Sequence, residues 1–127
     1  KPLLTKEVRP ILFNHIKENA CDKRIFLAEI NGYDDHVHCL ISLRSTENIA
    51  KVVNLLKGES SHWANSQNLT TEKLTWQTEY FAISVGESEV ARVRNYIRRQ
   101  ERHHAKHGFI DEITTFSDRF GFEIKIE

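Results

Sequence analysis

The chain has 127 residues, enough for one domain with a core and too few for two. Hydrophobic residues make up 39% and charged residues 28%, which excludes a disordered chain, and no apolar run approaches the ~20 residues of a membrane span. Eighteen basic side chains match eighteen acidic ones, a balance that argues against a nucleic-acid binder only if the charge is evenly spread.

In chain order, residues 5–20 place Val8, Leu12, His15 and Ile16 near helical spacing and predict a helix, with Pro10 either delaying its start or kinking it. Residues 24–32 are rich in β-formers and end at Gly32, and residues 36–43 form a second run, so two strands are expected around the turn Asn31-Gly32-Tyr33-Asp34-Asp35. Thr46 is the expected N-cap of a helix carrying Ile49, Val52, Val53 and Leu56, and a polar loop follows over 65–75. Residues 76–85 read as a third strand ended by Gly86. Ser88 is the expected cap of a helix running to about His107 and stopping at Gly108, with Glu89 at its positive end. A short helix over 111–120 and an alternating C-terminal edge strand complete the reading: one mixed α and β domain over 1–127, without repeats or linkers.

The chain contains no Met, so residues preceding Lys1 are expected, and Lys1-Pro2-Leu3-Leu4 lacks the pattern of a secretory leader. Cys21 and Cys39 fit no metal or redox spacing, which points to a reducing cytoplasmic setting.

The charge is not evenly spread. Residues 92–107 hold Arg92, Arg94, Arg98, Arg99, Arg102 and Lys106 against Glu101 alone, a local +5 that leaves −5 for the rest. A solvated helix face is the bland reading of such a run, set against the repulsion of like charges at i,i+4 unless a partner neutralises them. A one-sign stripe is also the footprint of a phosphate-backbone binder.

Two constellations carry chemistry. His36-Val37-His38 places two imidazoles on one face of a strand, able to converge on one divalent ion, with Val37, Cys39, Ile41 and Leu43 expected toward the core. Exposed strand histidines are the bland alternative. Cys39-Leu40-Ile41 after the pair excludes the longer motifs of metallo-β-lactamases and histidine-triad hydrolases. Tyr96 and Gln100 lie one turn apart on the basic helix, beside the apolar stripe Val90, Val93 and Ile97. A boundary aromatic with its hydroxyl in water is the alternative for Tyr96; Tyr33 and Tyr80 have no basic neighbours in sequence. The hard, neutral oxygen of Gln100 suits Mg²⁺ or Mn²⁺. Trp63 and Trp76 are read as core aromatics rather than base-stacking platforms.

A His-hydrophobic-His strand followed by a helix with Tyr-x-x-x-Gln resembles the single-tyrosine HUH transposases, the IS200-like enzymes of small bacterial insertion sequences, and their REP-associated relatives. The resemblance runs through DDHVHCLISL, Lys57-Gly58, WQTEYFAISV, NYIRRQERHHAKHGF and the final GFEIK. It implies an α+β, ferredoxin-like α/β sandwich with an antiparallel sheet, whose first strand would precede Lys1. It implies that Tyr96 is the catalytic nucleophile and that His36, His38 and Gln100 bind a divalent metal, Mg²⁺ or Mn²⁺. Asp35 then either orients His36 or simply completes the turn. Arg92, Arg94, Arg98, Arg99 and Arg102 are implied to contact DNA and to favour the phenolate.

The implied function is metal-dependent cleavage and strand transfer of single-stranded DNA, with hairpin ends, through a 5′-phosphotyrosine intermediate. The implied assembly is a homodimer whose active sites are shared between subunits, with residues 86–88 as the hinge for the crossing helix, working in the cytoplasm at the nucleoid. The alternatives are a catalytically silent, domesticated nucleic-acid-binding regulator of the same fold and a metal-dependent phosphodiesterase without a covalent step.

Overall fold

The structure, a computed structural model, describes residues 3–78, 80, 82 and 84–99. The helix expected over 111–120, the C-terminal edge strand, Gln100, Arg102 and the rest of the basic helix beyond Arg99 lie outside the described residues.

Helix α1 spans Val8–Asp22 and buries Arg9, Leu12, Phe13, Ile16 and Ala20 along one stripe. Pro10 is its third residue, where a backbone N–H has no intrahelical acceptor, so proline costs no hydrogen bond there. The start falls later than expected, with Glu7 at the cap and Thr5 in the turn before it. The Thr5 carbonyl accepts the N–H groups of Val8 and Arg9 at 3.1 and 3.0 Å. After α1 the chain reverses through Arg24 in the left-handed region (φ 60°), and the Ile25 N–H closes on the Ala20 carbonyl at 2.8 Å.

Strands β1 (Phe26–Gly32) and β2 (Val37–Ser42) form an antiparallel pair. Asn31 pairs with His38 and Ile30 with Cys39, but the register shifts between Leu27 and Glu29, which leaves Ala28 as a bulge. The bulge lets Leu27 and Ile30, three positions apart, both pack into the core. Glu29 and Asn31 are thereby turned to the opposite face.

Helix α2 spans Ile49–Ser66. Its cap is Asn48 rather than Thr46: the Asn48 side chain accepts the N–H groups of Ala50 and Lys51 at 2.8 and 3.2 Å. Thr46 is instead enclosed in a turn closed by the Glu47 N–H on the Arg44 carbonyl at 2.9 Å. The Arg44 backbone N–H also bonds the Glu47 carboxylate and holds its pKa below the ordinary value. His15 ties α1 to α2, stacking on Trp63 with ring centroids 3.8 Å apart and bonding Glu59 at 2.9 Å. Trp63 and Trp76 pack against the main core, formed by Leu4, Leu12, Phe13, Ile16, Ile30, Ala64 and Leu74. Cys39 and Leu43, expected to face this core, are exposed.

The third strand expected over 76–85 is absent among the described residues. The described start of that segment, residues 76–78, is tied to α2. Lys57 Nζ bonds the carbonyls of Gln77 and Thr78, and the Trp76 indole N–H donates to Ser60 Oγ at 2.9 Å. A single 3₁₀ turn, Glu87–Glu89, leads into α3 (Val90–Arg98); Ser88 lies within the turn and makes no capping bond.

Helices α1 and α2 cover one face of the hairpin through Leu27, Ile30, Val37 and Ile41, and α3 packs on β1 and β2. The class is α+β, compatible with a ferredoxin-like arrangement. No described helix is long and apolar enough to cross a membrane.

Candidate functional site

The site lies on the face of the hairpin turned away from α1 and α2. Alternation along β2 puts His36, His38 and Leu40 on this side, and register adds Asn31 opposite His38 and Glu29 opposite Leu40. The imidazoles of His36 and His38 stand edge to face, with ring centroids 5.0 Å apart and planes at 77°.

The loop carrying His36 is tightly closed. The Tyr33 N–H donates to the His36 carbonyl at 3.0 Å, and a Cβ on Gly32 would sit 2.2 Å from that same oxygen, so only glycine fits there. Asp35 Oδ1 lies 3.0 Å from His36 Nδ1. With Nδ1–H donating to this carboxylate, Nε2 keeps its lone pair for a ligand. The loop is also fastened to α1: Arg9 Nη1 donates to the Leu4 carbonyl at 2.9 Å and to Asp34 Oδ1 at 3.1 Å, and the Arg9 guanidinium lies 5.2 Å from the Tyr33 ring centroid. Arg9 is 5% exposed and His36 8%, while the Asp34 carboxylate that Arg9 reaches is partly exposed.

Helix α3 supplies the third member. The Tyr96 ring centroid is 6.3 Å from that of His38, with planes at 61°. The Tyr96 hydroxyl and His38 Nε2 are both shielded from solvent, unlike a boundary tyrosine pointing into water. This contact is made within one chain.

The basic stripe proves to be partly neutralised by the protein itself. Arg98 Nε lies 3.1 Å and Arg94 Nε 3.8 Å from the same oxygen of Glu29, and Arg92 pairs with Glu89 at 3.3 Å. Arg99 is exposed. Tyr33 and Tyr80, without basic neighbours in sequence, each have a cation near the ring in space: Arg9 and, 5.7 Å from the centroid, Lys57.

The structure thus brings His36, His38, Tyr96 and Asp35 together. Among the described residues no group of three or more His, Cys, Asp or Glu side chains is placed to hold a metal ion. Two imidazoles on one strand face, one oriented by a carboxylate, nevertheless fit part of a divalent-ion donor set that needs further ligands. Sequence reasoning missed Glu29, Asn31, Arg9, Asp34 and the steric demand at Gly32. The Asn-Gly pair was a visible turn signal, but nothing local announces that Arg9 reaches Asp34 or that a bulge redirects Glu29.

A family model described as "Transposase IS200 like" matches residues 1–100. No curated protein and no solved structure matches the chain.

Proposed function

The chain belongs to the IS200-like transposase family, and from that premise we propose that it cleaves and rejoins single-stranded DNA with Tyr96 as the nucleophile. The observation supporting this reading is the 6.3 Å approach of the Tyr96 ring to His38, whose neighbour His36 completes an imidazole pair.

In this reading the Tyr96 hydroxyl loses its proton and its oxygen attacks a backbone phosphorus. A bond forms between phosphorus and the tyrosine oxygen; the bond to the 3′ oxygen breaks, and that oxygen leaves as a 3′-hydroxyl after taking up a proton. One phosphodiester is exchanged for another, so no nucleotide hydrolysis is required. A free 3′-hydroxyl then attacks the 5′-phosphotyrosine, restores the phenol and joins a strand. A phenol ordinarily ionises at pH ~10, and positive charge brought close to its oxygen favours the phenolate. Arg92, Arg94, Arg98, Arg99 and Arg102 also serve as phosphate contacts. His36, His38 and Gln100 would hold Mg²⁺ or Mn²⁺, which supplies charge stabilisation at the phosphate oxygens when bound. Asp35 holds His36 in the tautomer that such binding needs. The substrate is single-stranded DNA with hairpin ends, and the enzyme works in the cytoplasm at the nucleoid.

The test is adduct trapping on a single-stranded oligonucleotide with Mg²⁺ or Mn²⁺. The native chain is expected to give a phosphotyrosine adduct on a denaturing gel. Tyr96→Phe is expected to bind the oligonucleotide without forming it, and His36→Ala to lose metal-dependent cleavage. Cleavage with no adduct would favour the phosphodiesterase, and binding with neither would favour the silent regulator. The proposed assembly is a homodimer whose active sites are shared between subunits. Mixing a His36→Ala/His38→Ala subunit with a Tyr96→Phe subunit should then restore cleavage, and cleavage by cis-intact subunits alone would overturn the sharing.

A further inference from the structure

We propose that Glu29 is a positioning residue that sets the roll of the tyrosine helix over the histidine pair, a role resting on the reading of Tyr96 as nucleophile. Helix α3 has nine residues and buries only Val93 and Ile97. Two apolar contacts in line along a cylinder fix where it lies but define poorly how it is rotated about its axis. At about 100° per residue, Arg94 and Arg98 stand on one flank of that stripe and Tyr96 on the other. The flanks keep a constant angle, so anchoring the arginine flank fixes the height of Tyr96 above the sheet.

Glu29 is that anchor. One of its carboxylate oxygens lies 3.1 Å from Arg98 Nε and 3.8 Å from Arg94 Nε, on successive turns of α3. Asn31, two residues along the same strand face, donates from Nδ2 to the carbonyl of Arg98 at 3.2 Å and fixes the helix end axially. The bulge at Ala28 makes this possible. With unbroken alternation Glu29 would share the core face of Leu27; the register shift turns it toward α3.

The anchor has a second consequence. Arg94 and Arg98 are also proposed phosphate contacts, so Glu29 competes with DNA for them. Removing its charge should loosen the nucleophile and strengthen DNA binding together, a pairing that a purely structural residue would not produce.

The experiment uses the full chain and Glu29→Gln, which keeps the shape and removes the charge, with Glu29→Asp as the conservative variant. Hydrogen exchange is followed by mass spectrometry on the free protein. Single-turnover cleavage and the Kd for a single-stranded oligonucleotide are measured at fixed salt. In Glu29→Gln, amides of 90–98 are expected to exchange about three- to tenfold faster while those of α1 and α2 are unchanged. Cleavage should fall by a similar factor while the oligonucleotide Kd tightens about two- to fivefold; Glu29→Asp should recover part of both effects.

Unchanged exchange in α3, equal acceleration in α1 and α2, or a joint fall of affinity and cleavage would overturn the proposal. The exchange measurement needs no catalysis, so failure there is failure of the anchor itself. An adduct formed by Tyr96→Phe, with α3 still loosened in Glu29→Gln, would instead overturn the nucleophile reading while leaving the anchoring contact in place.

Discussion

The histidine loop and the tyrosine helix sit against each other yet are held by different forces. The loop from Tyr33 to His36 is closed by its own backbone, constrained by Gly32 and fastened to α1 through a buried guanidinium. Helix α3 rests on two buried apolar residues and on ion pairs whose Arg98 side chain is 58% exposed. Contacts of the first kind include backbone bonds and a guanidinium buried on its own side, although its Asp34 partner is 42% exposed; those of the second kind join side chains alone and are individually weak and screened. The half that would hold a metal is therefore built rigidly, and the half that carries the phenol is adjustable in its seating. That division would suit the proposed reaction, in which Tyr96 becomes bonded to a DNA end and then releases it.

The largest expected effect comes from Gly32→Ala. The added methyl would meet the His36 carbonyl oxygen at 2.2 Å, so the loop must open. A loss of about 1–3 kcal/mol in stability is expected on denaturant unfolding, with weakened Mn²⁺ binding by calorimetry. Amide exchange in α3 should change little relative to the loop, and a larger change in α3 would break the comparison.

Arg9→Met comes next. It removes the donor to the Leu4 carbonyl and to Asp34 while keeping most of the buried volume. The expected cost is about 1–3 kcal/mol, typical of hydrogen bonds to charged groups. Exchange at Tyr33 should rise before that of the strand centre, and the same Tm as the native chain would show that the fastening is idle.

The smallest effect sharpens the contrast without a mutation. Raising salt from 0.05 to 0.5 M, a range chosen to shorten the Debye length from well above ~10 Å to well below it, should speed exchange in α3 about twofold. The Tyr33 amide should be nearly unaffected, because its bond closes within the backbone. Equal salt dependence in both places would remove the distinction.

Much of this was legible locally. The period-two pattern across His36, His38 and Leu40, the turn at Asn31-Gly32, the apolar spacing of α2 and the one-sign charge of the last helix are all readable from neighbours in the chain. Other elements were settled by competition among local groups: Asn48 outdid Thr46 as a cap because the Arg44–Glu47 turn had already enclosed Thr46. The apolar run at 76–85 reads as a strand, yet its carbonyls at Gln77 and Thr78 are claimed by Lys57 from α2.

By itself the sequence determined that both histidines share a face and that Tyr96 adjoins the apolar stripe of its helix, since strand alternation and helical spacing are properties of the covalent chain. Only the tertiary structure decided that Tyr96 meets His38 within one chain, that Arg9 braces the histidine loop and that Glu29 faces α3. These contacts join residues far apart in sequence through a register shift and a packing angle. Such geometry arises from filling a common core and satisfying buried polar groups together, and no local window of residues contains it.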